Sequence, residues 1–357
     1  MTINHLPTEL RAVTDQSLGV FSSAEGFVFL SGLLAGYVYI RRFWKGGAAA
    51  LRSAAIERSW SIYGWHVASF VACWAAVIGI ERIFGFCSRS APQLFYSHPL
   101  LALGLGTSLL YQPGLLDLLP MYFVFVMLLP LILPALEAGR RYTVLGVSAA
   151  IWLVAQACPA IDGAPLYPLH LGTFNLLAWQ FLFVAGVVIG HSRARTPEIE
   201  TASVSPWLLT LASGVAVYGF GVRHYQWSHP WPDSTFGVYL NKPALGLFRV
   251  ADFSAVAYLV AVIGARVPKL LTWRSLAFLG QASIAVVAAQ SVAVTIVLQF
   301  PVLSATAGAR SAVVAAIIAW MYFAASLYHR HRANRRSATL VPLHSRLDCD
   351  PALNRAA

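Results

Sequence analysis

Long apolar runs broken by short polar and basic stretches set the pattern of this chain. The run from Ser22 to Trp44, SSAEGFVFLSGLLAGYVYIRRFW, carries no charge between Phe27 and Ile40. A helix rises about 1.5 Å per residue, so the stretch approaches the ~20 residues that cross a bilayer. Comparable runs recur at about 60–80, 117–136, 142–157, 173–189, 206–222, 250–265, 276–300 and 310–327. The pattern predicts an all-α, polytopic transmembrane helix bundle of about nine spans over residues 1–330, with a basic cytoplasmic tail over 331–357. Charge on the connections alternates. The segment Lys45 to Arg58 reads as a basic inner loop, and the turn Glu137 to Arg141 and the loop His191 to Ser205, with Arg193 and Arg195, are also expected inside. By the positive-inside rule Ser22, Glu25 and the N-terminus then lie outside. No internal repeat is visible, so an inverted-repeat transporter gains no support.

Composition strengthens this reading. Of 357 residues 58% are hydrophobic and 11% charged, far below the roughly 25% charged residues of soluble domains. The formal charge of +11 would suggest nucleic acid in a soluble chain. Here the Lys and Arg residues sit in connections and the tail, where they orient the protein and attract anionic membrane lipid, so nucleic acid is not an expected partner. Cys73, Cys87, Cys158 and Cys349 match no zinc or redox spacing, and no metal site is expected. Cys87 and Cys158 both fall near outer loops, which leaves a disulfide open beside two free thiols. The first twenty residues lack the apolar core of a signal peptide.

Polar groups at membrane depth are costly and so carry the information about function. The candidates are His5, Glu25, Ser31, His66, Asp117, Gln180, Asp252, Gln281 and Gln290. His5, Glu25, Asp117 and Asn175 fall near outer helix ends, which suggests a common outward pocket. There His5 would take a proton from a hydroxyl while Glu25 holds its ring in one tautomer. Each residue also has a structural role open to it. Glu25 can be a solvated cap, His66 a packed histidine, Asp117 a helix N-terminus, and Gln281 and Gln290 interhelical bonds. Trp227, Trp231 and Tyr239 form either an interfacial belt or a sugar-stacking platform. Arg41, Arg42, Lys45, Arg52 and Arg58 can grip a phosphate-bearing donor, although topology alone also explains them. Lys242 and Arg249 can meet a substrate carboxylate, or Arg249 can be a snorkelling anchor.

Several strings together, SSAEGFVFLSG, YQPGLLDLLPMY, FNLLAWQFLFVAG, KPALGLFRVADFSAVAY and FLGQAS, resemble the OpgC family, the succinyl-modifying proteins of osmoregulated periplasmic glucans. That family is similar to the acyltransferase-three superfamily of membrane acyltransferases. The resemblance implies a ten-span protein of the bacterial inner membrane that passes an acyl group from cytoplasmic acyl-CoA, succinyl-CoA or acetyl-CoA, to hydroxyls of a periplasmic glucan. It implies no bound cofactor, and glucan-synthesis proteins as further partners. Residue by residue, His5 matches the family's histidine, Glu25 the acid before FVFLSG, Asp117 the Asp of DLLPMY, and Asn175 with Gln180 the FN..AWQ string. His5 and Glu25 would then be catalytic, Asp117, Asn175, Gln180, Lys242 and Arg249 would bind substrate, and the five basic residues from Arg41 to Arg58 would bind the donor. The family's first helix and its basic residue have no counterpart here, so an upstream start is expected. Two other functions remain open: a transporter or flippase for a glycan or lipid-linked sugar, and an inactive structural partner in a glucan-synthesis complex.

Overall fold

The computed structural model describes residues 2–6, 8–85, 92–157, 171–196 and 204–347. Among them the structure is helix and connecting chain, with no strand. Cys87, Cys158 and Cys349 lie outside the described residues, and the disulfide expected between the first two lies there with them.

A 3-10 turn over Thr2–His5 precedes α1 (Leu10–Thr14) and the long α2 (Ser23–Phe84). Two short helices follow, α3 (Gln93–Ser97) and α4 (Pro99–Thr107), then α5 (Leu118–Met127), α6 (Leu129–Glu137), α7 (Arg141–Ala157) and α8 (Leu176–Arg195). The second half holds α9 (Pro206–Tyr225), α10 (Asp233–Leu240), α11 (Leu247–Arg266), α12 (Arg274–Gln281), α13 (Ser283–Gln299) and α14 (Ala307–Leu347).

The nominal 62 residues of α2 are two limbs joined at Gly46 and Gly47, whose backbone is not helical. Gly47 has φ 67°, a left-handed conformation that glycine adopts without steric cost. The turn reverses the chain. Ser23 and Cys73 line the same cleft, whereas fifty residues of unbroken helix would hold them about 75 Å apart. The basic loop expected over Lys45 to Arg58 is therefore a turn confined to two glycines, with helix on both sides. Helix-forming residues such as Ala48, Ala49, Ala50 and Leu51 resume the helix directly after the break. At its start α2 carries a capping box: Ser22 and Glu25 each satisfy a backbone N–H of the first turn.

The first limb of α2 packs along α8 through a reciprocal glycine seam. Gly32 lies under the Phe183 carbonyl and Gly36 under that of Val187, while Gly186 and Gly190 lie under the carbonyls of Phe29 and Leu33. A Cβ at any of the four would come within 2.0–2.3 Å of those oxygens. This is the small-xxx-small spacing by which membrane helices bring their backbones together, because lipid supplies no hydrophobic drive between them. Around the seam Val28, Ile40, Leu119, Phe125, Trp179, Phe183 and Val187 form the main core. Leu30, Leu34, Leu131, Leu153 and Leu211 turn outward and are exposed, as a bundle in hydrocarbon requires.

Each of the nine expected segments is helical. Four helices are long and apolar enough to cross a membrane, α2, α8, α11 and α14, or six if the bent pairs α5–α6 (43°) and α12–α13 (86°) each count as one. The shortfall from nine has local causes. α2 counts once although it doubles back, α7 has only 17 residues, and α9 is long enough but insufficiently apolar. The tail begins inside a helix, since α14 continues through Leu347.

Candidate functional site

A cleft of about 620 Å³ opens at the end of the bundle where α2 begins. Its rim is the N-terminal segment, with Asn4, His5, Arg11 and Asp15. Its walls are Ser22, Ser23 and Ala24 at the start of α2, the turn Pro113–Asp117, Thr173 and Phe174, and Lys242. Cys73 of the second α2 limb and Val287, Gln290, Thr295 and Gln299 of α13 line it too.

The N-terminal segment is built to present His5. Asn4 and Thr14 exchange a hydrogen bond of 2.7 Å, and the Asn4 amide also donates to Asp15 at 3.2 Å, closing residues 4–15 into a loop. Thr2 donates to Gln290 Oε1 at 2.6 Å, and Leu6 is buried among Val294, Val314 and Ile317, which fixes the segment on α13 and α14. The His5 ring opens onto the cleft, so its surface counts as exposed, yet protein crowds it closely. Loss of hydration first, then the positive charges of Lys242 and Arg11, lower its pKa from 6.5 to about 4, against an opposing pull from Asp15. The imidazole is therefore neutral at pH 7 and able to accept a proton.

Asp117 is buried at the cleft wall. It stands at the N-cap position of α5 but makes no cap bond there; its Oδ2 accepts from the Thr173 amide at 3.1 Å, tying the two walls together. Leu115 beside it has φ 79°, a left-handed conformation rare for a branched side chain, and its carbonyl accepts from Ser291 at 2.8 Å. Lys242 reaches the cleft beside Phe174, its ammonium 5.9 Å from the ring centre. His5, Asp117 and Lys242, all picked out from the sequence, thus meet in one place.

Other expected site residues do not join them. Glu25 is fully buried beneath the cleft floor, and both of its oxygens are taken: Oε2 by the Ser22 amide and hydroxyl at 3.0 and 2.7 Å, Oε1 by Arg249. The carboxylate expected to orient His5 instead caps a helix and neutralises an arginine. Arg249, expected to face a substrate carboxylate, is enclosed in that same ion pair. Asn175, also expected to bind substrate, caps α8 by accepting from the Leu177 and Ala178 amides at 2.9 and 3.2 Å. Gln180 faces α7, where it accepts from Ser148 at 2.7 Å and donates to the Ser148 carbonyl at 2.8 Å. The physical reason is common to all four. A buried polar group must be satisfied within the bundle, and a nearby backbone or side chain outcompetes a pocket.

His66 is a packed histidine, its Nε2 3.1 Å from the Gly106 carbonyl. Gln290 bonds to Thr2 and so is interhelical glue at the cleft, whereas Gln281 is exposed. Trp231 stacks on Phe236 with rings 6° from parallel and meets Tyr239 edge-on, forming one aromatic cluster with its outer surface exposed. Among the described residues the groups that could hold a metal number none.

Arg41, Arg42, Lys45, Arg52 and Arg58 surround the Gly46–Gly47 turn at the opposite end of the bundle, and none lines the cleft. Arg41 lies over the Tyr37 ring at 4.1 Å; Arg42, Lys45 and Arg52 are exposed. Glu137 is at this end too, joined to Arg195 at 2.7 Å and to His191 at 3.1 Å.

Sequence reasoning missed Asn4, Arg11 and Asp15, which lie in the polar N-terminal stretch before α2. The one available signal was their spacing on a short polar loop around His5. It also missed Thr295 and Gln299, which read as ordinary positions of an apolar helix.

A family model described as OpgC protein matches residues 1–333, nearly the whole chain. No curated protein and no solved structure matches. The chain belongs to the OpgC protein family, a membership that points to a glucan-modifying membrane acyltransferase.

Proposed function

We propose that the protein is a membrane O-acyltransferase in which the cleft receives a glucan hydroxyl and His5 is its general base. The observation that carries this reading is the neutral imidazole of His5 on a water-accessible cleft in a chain of this family. His5 takes the hydroxyl proton, the oxygen attacks the thioester carbonyl of acyl-CoA, the C–S bond breaks, and CoA leaves as the thiolate. Asp117, Asp15, Lys242 and Arg11 surround the acceptor with balanced charge, which suits a neutral polyol and leaves Lys242 to face an acidic acyl group such as succinyl. Positive residues gather at the Gly46–Gly47 end, so the positive-inside rule puts that end in the cytoplasm and the cleft outside, in the bacterial inner membrane.

The five basic residues at the turn would hold the donor's phosphates. For the thioester to reach His5, the cleft must deepen toward that turn. The glycine seam closes the α8 side of α2, so the opening runs along α13, where Val287 and Gln290 already line the cleft. The test is direct: membranes holding the protein, given labelled succinyl-CoA or acetyl-CoA and a glucan, yield ester-linked label on the glucan. No label on the glucan from either donor would overturn the reading.

A further inference from the structure

The segment that carries His5 is a strap across the mouth of the cleft, and the two ends of the strap are held by different parts of the bundle. One end rests on α13 and α14 through Thr2, Leu6 and the ion pair of Glu9 with Arg310. The other end is held by α11, where Phe21 meets Phe253 edge-on at 5.5 Å and Asp252 takes a backbone amide. Asp252 is fully buried, and its Oδ2 accepts from the Val20 amide at 2.7 Å. The carboxylate sits in a slot that only glycines allow: a Cβ at Gly19 of the strap would lie 2.1 Å from Oδ2, and one at Gly219 of α9 would lie 2.4 Å from Oδ1. Three residues earlier on the same face of α11, Arg249 holds Glu25. α11 thus grips the chain on both sides of the bend by which the strap enters α2. The Gln16 amide donates to the Val20 carbonyl at 2.7 Å, so the bend itself is closed by the strap.

We infer that Asp252 is a positioning residue for His5: by anchoring Val20 it holds the strap down over the cleft and fixes where the imidazole stands. A buried carboxylate in a lipid-embedded helix is costly unless its contact serves something. The geometry makes its bond to the Val20 amide the polar part of the strap's hold on α11, beside the Phe21–Phe253 ring contact. The inference rests on the acyltransferase reading for its catalytic consequence, although the anchoring itself does not.

The experiment uses the full chain in detergent or lipid nanodiscs, with two readouts. In hydrogen exchange, the amides of the strap exchange at least tenfold faster in Asp252→Ala than in the unaltered protein, while those of α2 and α8 keep their rates. Asp252→Asn keeps an acceptor oxygen for Val20 and restores slow exchange. Gly19→Ala, which pushes the strap off Asp252 without touching α11, reproduces the fast exchange and covers the case in which Asp252→Ala does not fold. In acyl transfer, Asp252→Ala and Gly19→Ala lower kcat tenfold or more with donor KM little changed, and Asp252→Asn recovers it. Unchanged strap exchange in both Asp252→Ala and Gly19→Ala would overturn the anchoring. Faster exchange with undiminished kcat would overturn the positioning of His5. If the unaltered protein transfers no acyl group, the acyltransferase reading fails while the exchange result still decides the anchor.

Discussion

Arg249 donates from Nε to Oε1 of Glu25 at 2.8 Å, and neither side chain reaches solvent. This ion pair joins the first turn of α2 to the first turn of α11. Removing one partner would strand a charge in a medium that cannot solvate it. Arg249→Ala is expected to destabilise the folded bundle by about 3–5 kcal/mol. Replacing both together, Glu25→Leu with Arg249→Met, is expected to recover most of that loss. Unfolding in graded detergent denaturation measures both.

The glycine seam makes a second, more local prediction. At Gly32 a new methyl would meet the Phe183 carbonyl at 2.1 Å, whereas at Gly104 on α4 it would meet nothing within 4 Å. Gly32→Ala should cost about 1–3 kcal/mol through forced separation of α2 and α8. Gly104→Ala, in an open helical position, should be neutral or slightly stabilising. Thermal melts of the two variants side by side check the contrast.

These two features also show how far the sequence could be read. Hydropathy located the long helices, because a lipid-embedded helix must be apolar over most of its length and the signal is long, but not the short α1, α3, α4 and α10. It showed the reversal between the first two runs but not that the turn is confined to Gly46 and Gly47, because the polar residues from Lys45 to Arg58 that lower the hydropathy are helical on both sides of that pair. The resemblance and the polar inventory named His5, Asp117 and Lys242, and the three line one cleft. They also offered Glu25, Arg249, Asn175 and Gln180, which the bundle uses for its own hydrogen bonds. A string of residues does not reveal whether a polar group faces a cavity or a neighbouring helix, since both choices satisfy it and only three-dimensional packing decides between them. For the same reason the Asn4–Thr14–Asp15 loop was invisible: its bonds span ten and eleven residues of unremarkable polar sequence.

Asn175 and Gln180 therefore separate structure from substrate binding. Asn175→Ala removes the cap of α8 and is expected to lower stability by about 0.5–2 kcal/mol. Gln180→Ala breaks the link to Ser148 and should cost about 1 kcal/mol. Neither should change the acceptor KM in a transfer assay, whereas Lys242→Gln and Asp117→Asn, at the cleft, should raise it.

The lowered pKa of His5 fixes the pH dependence of transfer. The reaction needs the neutral ring, and the ring stays neutral as pH falls until it approaches about 4. A profile of kcat/KM against pH should thus hold its plateau through pH 6.5, where an ordinary histidine would already be half protonated, and fall only toward pH 4. The sign for stability follows the same way. The unfolded chain binds this proton near 6.5 and the folded one near 4, so acid progressively favours unfolding across that window and the contribution is complete above it.

The central claim is that an imidazole on the strap takes the proton of an acceptor hydroxyl in the outer cleft. The measurement that meets it most directly is the initial rate at which His5→Ala, reconstituted in membranes at the level of the unaltered protein, transfers labelled acyl groups from acyl-CoA to glucan. A general base contributes about 10²–10⁴-fold, so the rate should fall by at least a hundredfold while melting temperature and membrane insertion stay put. A variant that still transfers at near the original rate would contradict the account.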